Sequence, residues 1–206
     1  MRAEELMALG AVVPVVVLHD VENAVPLAKA LVAGGLPVIE VTLRTEAALE
    51  SIRRIAAEVP GAVVGAGTIV SDQNVKDAAA AGSKFLVSPG CTDRLRGAMT
   101  DSGLPFLPGV ATASEALALL EHGVTAMKFF PAKAAGGAPY IRSLGGPLPQ
   151  ITFCPTGGIT LETAPDYLAL PNIGCVGGTW LTPDDAVKAG DWSRVEKLAA
   201  AAAALR

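Results

Sequence analysis

One lysine in this chain stands where solvation does not explain it. In Thr125-Ala126-Met127-Lys128-Phe129-Phe130, strand alternation puts Thr125, Met127 and Phe129 on one face, and Ala126, Lys128 and Phe130 on the other. Among Met and Phe side chains an ammonium loses hydration. Desolvation favours the neutral amine, the form that attacks a carbonyl to give an imine. A second segment, Pro37-Val38-Ile39-Glu40-Val41-Thr42-Leu43-Arg44, alternates in the same way. Ile39, Val41 and Leu43 make an apolar face; Glu40, Thr42 and Arg44 share the other. An inward Glu and Arg are costly unless paired or used. A carboxylate can shuttle protons, and a guanidinium can grip a carboxylate through two parallel hydrogen bonds. The same residues also permit a purely structural arrangement, with Lys128 and Glu40 a buried ion pair and Arg44 a solvated strand end. Spacing alone leaves both open.

Two glycine pairs suggest an anion site. They are Thr156-Gly157-Gly158-Ile159-Thr160 and Gly177-Gly178-Thr179-Trp180. Each follows a predicted strand, and glycine lets backbone N–H groups approach a phosphate closely. Tight turns favour glycine too, so the argument rests on two pairs in adjoining positions. The remaining candidates are weaker. His19 and His122 are the only histidines, and neither has a partner at metal-ligand spacing. Cys154 reads as a small buried residue, Lys133 as a solvated lysine, and Trp180 and Trp192 as packing residues.

The elements that would carry these residues recur regularly. β-rich runs occupy 11–18, 37–43, 62–66, 84–87, 105–107, 125–130, 150–154 and 172–176, mostly twenty-odd residues apart. That interval holds one crossover helix and two short loops, the length a parallel connection needs. Helices are expected at 21–33, 45–59 with Thr45 as a cap, 71–81 opening at Ser71, 112–121 with the capping pair Thr112 and Glu115, and 195–205. Residues 1–9 are expected to form a short extra helix beneath the sheet. Eight β-then-α units without a break in composition predict one domain over 1–206, a single (β/α)8 barrel with its chemistry at the C-terminal strand ends. An open doubly wound sheet is the alternative. Its dinucleotide fingerprint is missing, since Gly65-Ala66-Gly67-Thr68-Ile69-Val70 has no third glycine.

Composition narrows the function classes. The net charge of −4 and pI near 5.2 argue against a nucleic-acid partner, which would need a basic stripe. The three cysteines, Cys91, Cys154 and Cys175, are scattered and suggest neither a disulfide framework nor zinc. The apolar run 6–18 contains Gly10 and Pro14 and is too short to span a bilayer. The reading is a cytoplasmic protein with no membrane partner, no cofactor and no metal.

At this point the chain resembles the 2-keto-3-deoxy-6-phosphogluconate aldolase and 4-hydroxy-2-oxoglutarate aldolase family. The resemblance runs roughly from Val12 to Trp192. It rests on Ile39-Glu40-Val41-Thr42-Leu43-Arg44-Thr45, Gly65-Ala66-Gly67-Thr68, Lys128-Phe129-Phe130-Pro131-Ala132 and Cys154-Pro155-Thr156-Gly157-Gly158-Ile159. It implies a class I aldolase in which Lys128 forms the Schiff base and Glu40 moves protons. It implies that Arg44 binds the keto-acid carboxylate with help from Thr68. Phe130 and Thr156 would line the pyruvate pocket, and Gly157, Gly158, Gly178 and Thr179 would hold the phosphate. The substrate would be a 2-keto acid, cleaved to pyruvate and a phosphorylated aldehyde, and the assembly a homotrimer. The phosphogalactonate epimer and 4-hydroxy-2-oxoglutarate are alternative substrates, and a non-catalytic phosphate-binding barrel is an alternative of another class. The chain departs from the family pattern in three places. The run 14–18 has no arginine, Thr179 stands where serine is common, and Lys133 stands where an acidic residue is common.

Overall fold

The computed structural model describes residues 1–205. Its strands are β1 (Val12–Val16), β2 (Val38–Thr42), β3 (Val63–Gly67), β4 (Leu86–Val87), β5 (Phe106–Leu107), β6 (Gly109–Val110), β7 (Ala126–Phe129), β8 (Thr152–Pro155) and β9 (Val176–Gly178). They form a curled parallel sheet in two sections. One has the order β5-β4-β3-β2-β1-β9, the other β6-β7-β8. Single parallel bridges, Phe153 to Ile173 and Thr156 to Gly177, tie the β8 side to the β9 side.

The fifth β-rich run extends further than the sequence suggested and is broken. Pro108 separates β5 from β6, because a proline has no N–H to give to a ladder. Its carbonyl is still used: the Lys128 N–H donates to Pro108 O at 3.0 Å. The eighth strand also sits later than expected. Gly177 and Gly178 lie within β9 and are buried, rather than following it as a loop.

Alternation divides the apolar residues into two cores. Ile39, Val41, Met127 and Phe129 pack outward with helix residues such as Ile52 and Ile55 of the helix Ala48–Glu58. Val13, Val38, Phe85, Leu107, Ala126 and Cys154 fill an inner cluster within the curl of the sheet. The helix Ala3–Met7 closes that inner cluster with Leu6 and Met7, each 1% exposed. Burying two such side chains contributes about 2 kcal/mol each. Thr125 Oγ1 donates to Glu4 Oε1 at 2.6 Å, so this helix is also tied to the base of β7.

Several helix ends follow the sequence. Ser71 accepts from the Asn74 N–H, and Thr112 and Glu115 form the expected capping box. Thr45 does otherwise. Its hydroxyl donates to Leu18 O at the end of β1, and the helix begins only at Ala48. The segment 21–33 opens with a 3-10 turn, Val21–Asn23, capped by Asp20, before the α-helix Ala24–Ala33. The final helix runs Trp192–Ala203. Four further helices carried no clear sequence signal: Asp93–Asp101, Gly137–Leu144, Ala164–Leu168 and Asp184–Ala189. Among the described residues no helix is long and apolar enough to cross a membrane.

Candidate active site

The inward faces of β2 and β7 meet across the interior of the curl. Lys128 Nζ lies 3.3 Å from Glu40 Oε1, and the two side chains are only 5% and 4% exposed. At that burial neither charge has water to compensate it, so each depends on the other. The Lys128 ammonium nitrogen is also 5.2 Å from the centroid of the Phe130 ring, within cation–π range. Thr42, the next inward residue of β2, is spent on structure: its hydroxyl donates to Val16 O at 3.0 Å.

The space that Glu40 fills is made by glycine. Gly65 and Gly67 occupy alternate positions of β3 and so point the same way. A Cβ on Gly67 would lie 2.0 Å from Glu40 Oε1, and one on Gly65 would lie 2.4 Å from the Phe85 ring. The sequence offered this signal, two glycines at i and i+2 of a strand, as an incomplete dinucleotide fingerprint and as a family motif, but not as room for a buried carboxylate. Gly67→Ala is accordingly expected to push the Glu40 carboxylate away from Lys128 and to destabilise the fold by about 1–3 kcal/mol, as overpacking does. Thermal melts and turnover measured together check this; a variant with parental stability and activity would show that the carboxylate has room to move.

Arg44 and Thr68 come together at the C-terminal edge of the sheet, where Arg44 Nε donates to Thr68 Oγ1 at 3.1 Å. Arg44 is exposed and Thr68 half-buried. Thr68 has φ of 61°, the only non-glycine positive φ among the described residues. Such strain costs on the order of 1–3 kcal/mol and is characteristic of positions held for a purpose.

Phe130 lies just past the end of β7, half-buried. Its ring carbons lie 3.4 Å from where a Gly157 Cβ would be, so it stands between Lys128 and the glycine turn. Thr156 is 5% exposed, and its side chain fills the space that a Cβ on Gly177 would need, 2.2 Å from Oγ1. Gly157 and Gly158 have φ of 104° and 74°, which a side chain would resist. Gly178 ends β9 beneath the Trp180 ring, and Thr179 is exposed just beyond it.

The glycine pairs do not lead straight into helix N-termini, the usual setting of a phosphate cradle. The next helices begin at Ala164 and Asp184. An anion at Gly157–Gly158 would therefore meet no helix dipole. Lys133, read from the sequence as merely solvated, is exposed, yet its aliphatic stem lies against Gly158. His19 is exposed after β1, and His122 Nε2 is 3.8 Å from Asp93 Oδ1. Burial pushes the Cys91 thiol up to about 11, which keeps it a poor nucleophile at neutral pH. Among the described residues no three His, Cys, Asp or Glu side chains converge as a metal site would require. Taken together, the arrangement offers a buried amine, a carboxylate within reach of it, a guanidinium at the rim and a glycine turn beyond an aromatic ring.

Comparison with known proteins gives concordant results. A family model described as KDPG and KHG aldolase matches residues 3–198. The 2-dehydro-3-deoxy-phosphogluconate aldolase of Pseudoalteromonas atlantica is 51% identical over 202 residues, covering 98% of this chain and 94% of that protein. The KHG/KDPG aldolase of Escherichia coli is 50% identical, covering 96% of this chain and 92% of its own. Among solved structures, the KDPG aldolase of Legionella pneumophila, with pyruvate captured at low pH as a covalent carbinolamine intermediate, superposes with a TM-score of 0.96 at 42% identity and 98% coverage of both chains.

Proposed function

The chain belongs to the KDPG and KHG aldolase family, and from that membership we infer that it is a class I aldolase cleaving 2-dehydro-3-deoxy-6-phosphogluconate to pyruvate and glyceraldehyde 3-phosphate. The observation that carries the residue assignment is the buried approach of Lys128 Nζ to Glu40 Oε1 at 3.3 Å. An amine is the group that can form an imine, and a carboxylate beside it can both accept and return protons.

The proposed sequence is as follows. Arg44, supported by its hydrogen bond to Thr68, grips the keto-acid carboxylate at the rim. Lys128 passes a proton to Glu40 and attacks C2 as the neutral amine to give a carbinolamine; Glu40 returns the proton to the C2 hydroxyl, which leaves as water, and the resulting iminium can accept an electron pair. Glu40 takes the proton from the C4 hydroxyl, the C3–C4 bond breaks and the aldehyde departs. The electron pair of that bond becomes the enamine. Protonation at C3 and hydrolysis of the imine release pyruvate and restore the lysine. Phe130 and Thr156 are assigned to the walls of the pyruvate pocket, and the backbone of Gly157, Gly158, Gly178 and Thr179 to the phosphate. Nothing in the steps at C2 to C4 needs the phosphate, which supports 4-hydroxy-2-oxoglutarate as a second substrate.

Three coarser features belong to the same reading. The bridges from β8 to β9 support one closed eight-stranded barrel, with β5 and β6 counted as one interrupted strand, and a single domain over 1–206. The family resemblance further suggests a homotrimer working in the cytoplasm.

The direct test is reduction with borohydride in the presence of pyruvate, followed by peptide mass mapping. The expected product is a pyruvyl adduct on the peptide containing Lys128. No adduct, or an adduct on Lys133 or another lysine, would overturn the assignment.

A further inference from the structure

We propose that Lys133 is the charged member of the phosphate site and sets the preference for a substrate whose far end is phosphorylated; this rests on the aldolase reading above. The glycine turn cannot supply that charge itself. The Gly157 N–H faces β9 through the Thr156–Gly177 bridge, which leaves the Gly158 N–H as the turn's donor to a ligand. It is a neutral donor, however, and the next helix, Ala164–Leu168, is five residues long and starts well past the turn.

Lys133 is built onto this turn. Its N–H donates to Gly157 O at 3.0 Å, which locks the two loops together. A Cβ at Gly158 would lie 2.7 Å from Lys133 Cβ and 3.0 Å from its Cδ, so the aliphatic stem lies along the glycine. Pro131, Lys133, Ala134, Gly157 and Gly158 line one open depression. Among the described residues Lys133 makes no ion pair, so its ammonium is not committed elsewhere. Phe130 joins this depression to the buried amine, 5.2 Å from Lys128 Nζ on one side and against Gly157 on the other. A keto acid held at Lys128 and extending past Phe130 therefore presents its distal end to Lys133.

The test compares kcat/KM for 2-dehydro-3-deoxy-6-phosphogluconate with that for the same acid without phosphate, in the parent, Lys133→Gln and Lys133→Arg. The phosphorylated-to-unphosphorylated ratio is expected to fall about tenfold in Lys133→Gln, the scale of one charge-assisted hydrogen bond, and to be largely kept in Lys133→Arg. Inorganic phosphate should inhibit the parent more strongly than Lys133→Gln, and the gap should narrow as ionic strength rises. An unchanged ratio in Lys133→Gln, or a parent ratio near one, overturns the proposal. Borohydride trapping on each protein separates the two levels. A parent that forms no pyruvyl adduct refutes the aldolase reading itself; a parent that forms it while Lys133→Gln keeps the ratio refutes only the role of Lys133.

Discussion

Lys128→Met is expected to lower aldol cleavage by more than about 10⁴-fold and to abolish the borohydride-stable pyruvate adduct. Among the described residues no other amine is placed beside Glu40 to substitute. Arg44 carries a guanidinium, which is a poor nucleophile at neutral pH, and Lys133 stands beyond Phe130 at the exposed glycine turn. The same substitution carries a second, separable consequence. It leaves Glu40, 3% exposed, without its partner, and an uncompensated buried charge costs about 3–5 kcal/mol. The double variant Lys128→Met, Glu40→Gln removes that charge and should regain most of the lost stability while remaining inactive. Denaturant melts of the single and double variants, read beside turnover, distinguish the two losses. Residual cleavage near the parental rate would remove Lys128 from the nucleophile's role. A double variant no more stable than Lys128→Met would show that the pair is not coupled.

Glu40→Gln is the second large effect, an expected fall of about 10²–10⁴-fold in kcat, the range associated with a positioned acid or base. The amide matches the carboxylate in shape, so the space opened by Gly67 stays filled, and its oxygen can still accept a hydrogen bond from Lys128. Imine formation with pyruvate should persist, more slowly. Proton removal should not: exchange of the pyruvate methyl protons with deuterated solvent, followed by NMR, is expected to fall in step with kcat. Exchange at the parental rate would assign the base to another group or to solvent.

The site was more legible in the sequence than the boundaries of the fold. Lys128 and Glu40 could be read because strand alternation is a short-range rule, and a charge on the face opposite Ile39 and Val41, or Met127 and Phe129, has one place to go. What alternation could not tell was whether the two inward faces meet, since that depends on pairings across 88 residues of chain. The continuation of the fifth run as β6 was missed because Pro108 breaks the pattern while its carbonyl continues the ladder. Thr45 misled because a hydroxyl that could cap a helix instead bonds to Leu18 O, a partner 27 residues away. The helix Gly137–Leu144 contains Pro139 and begins at a glycine, residues that argue against a helix until packing of Ile141 and Leu144 overrides them. Lys133 was set aside for a similar reason. Exposure is the ordinary state of a lysine, and its contact with Gly158 depends on how two loops dock.

The way the N-terminal segment is fastened dictates when it can be fastened. Val12 of β1 is paired with Val176 of β9, and Glu4 is bonded to Thr125. A chain emerging from the ribosome presents its first helix and first strand long before either partner has been made. Closing so long a loop carries an entropic cost that local contacts cannot offset. β1 can join β2 early, Val15 beside Glu40, but its other edge must wait until Val176 has been made. During that interval a row of unpaired N–H and C=O groups, carried on the apolar run Val12–Val16, is open to any strand that reaches it first. Faithful folding of this molecule thus depends on its last strand arriving before a neighbour's does.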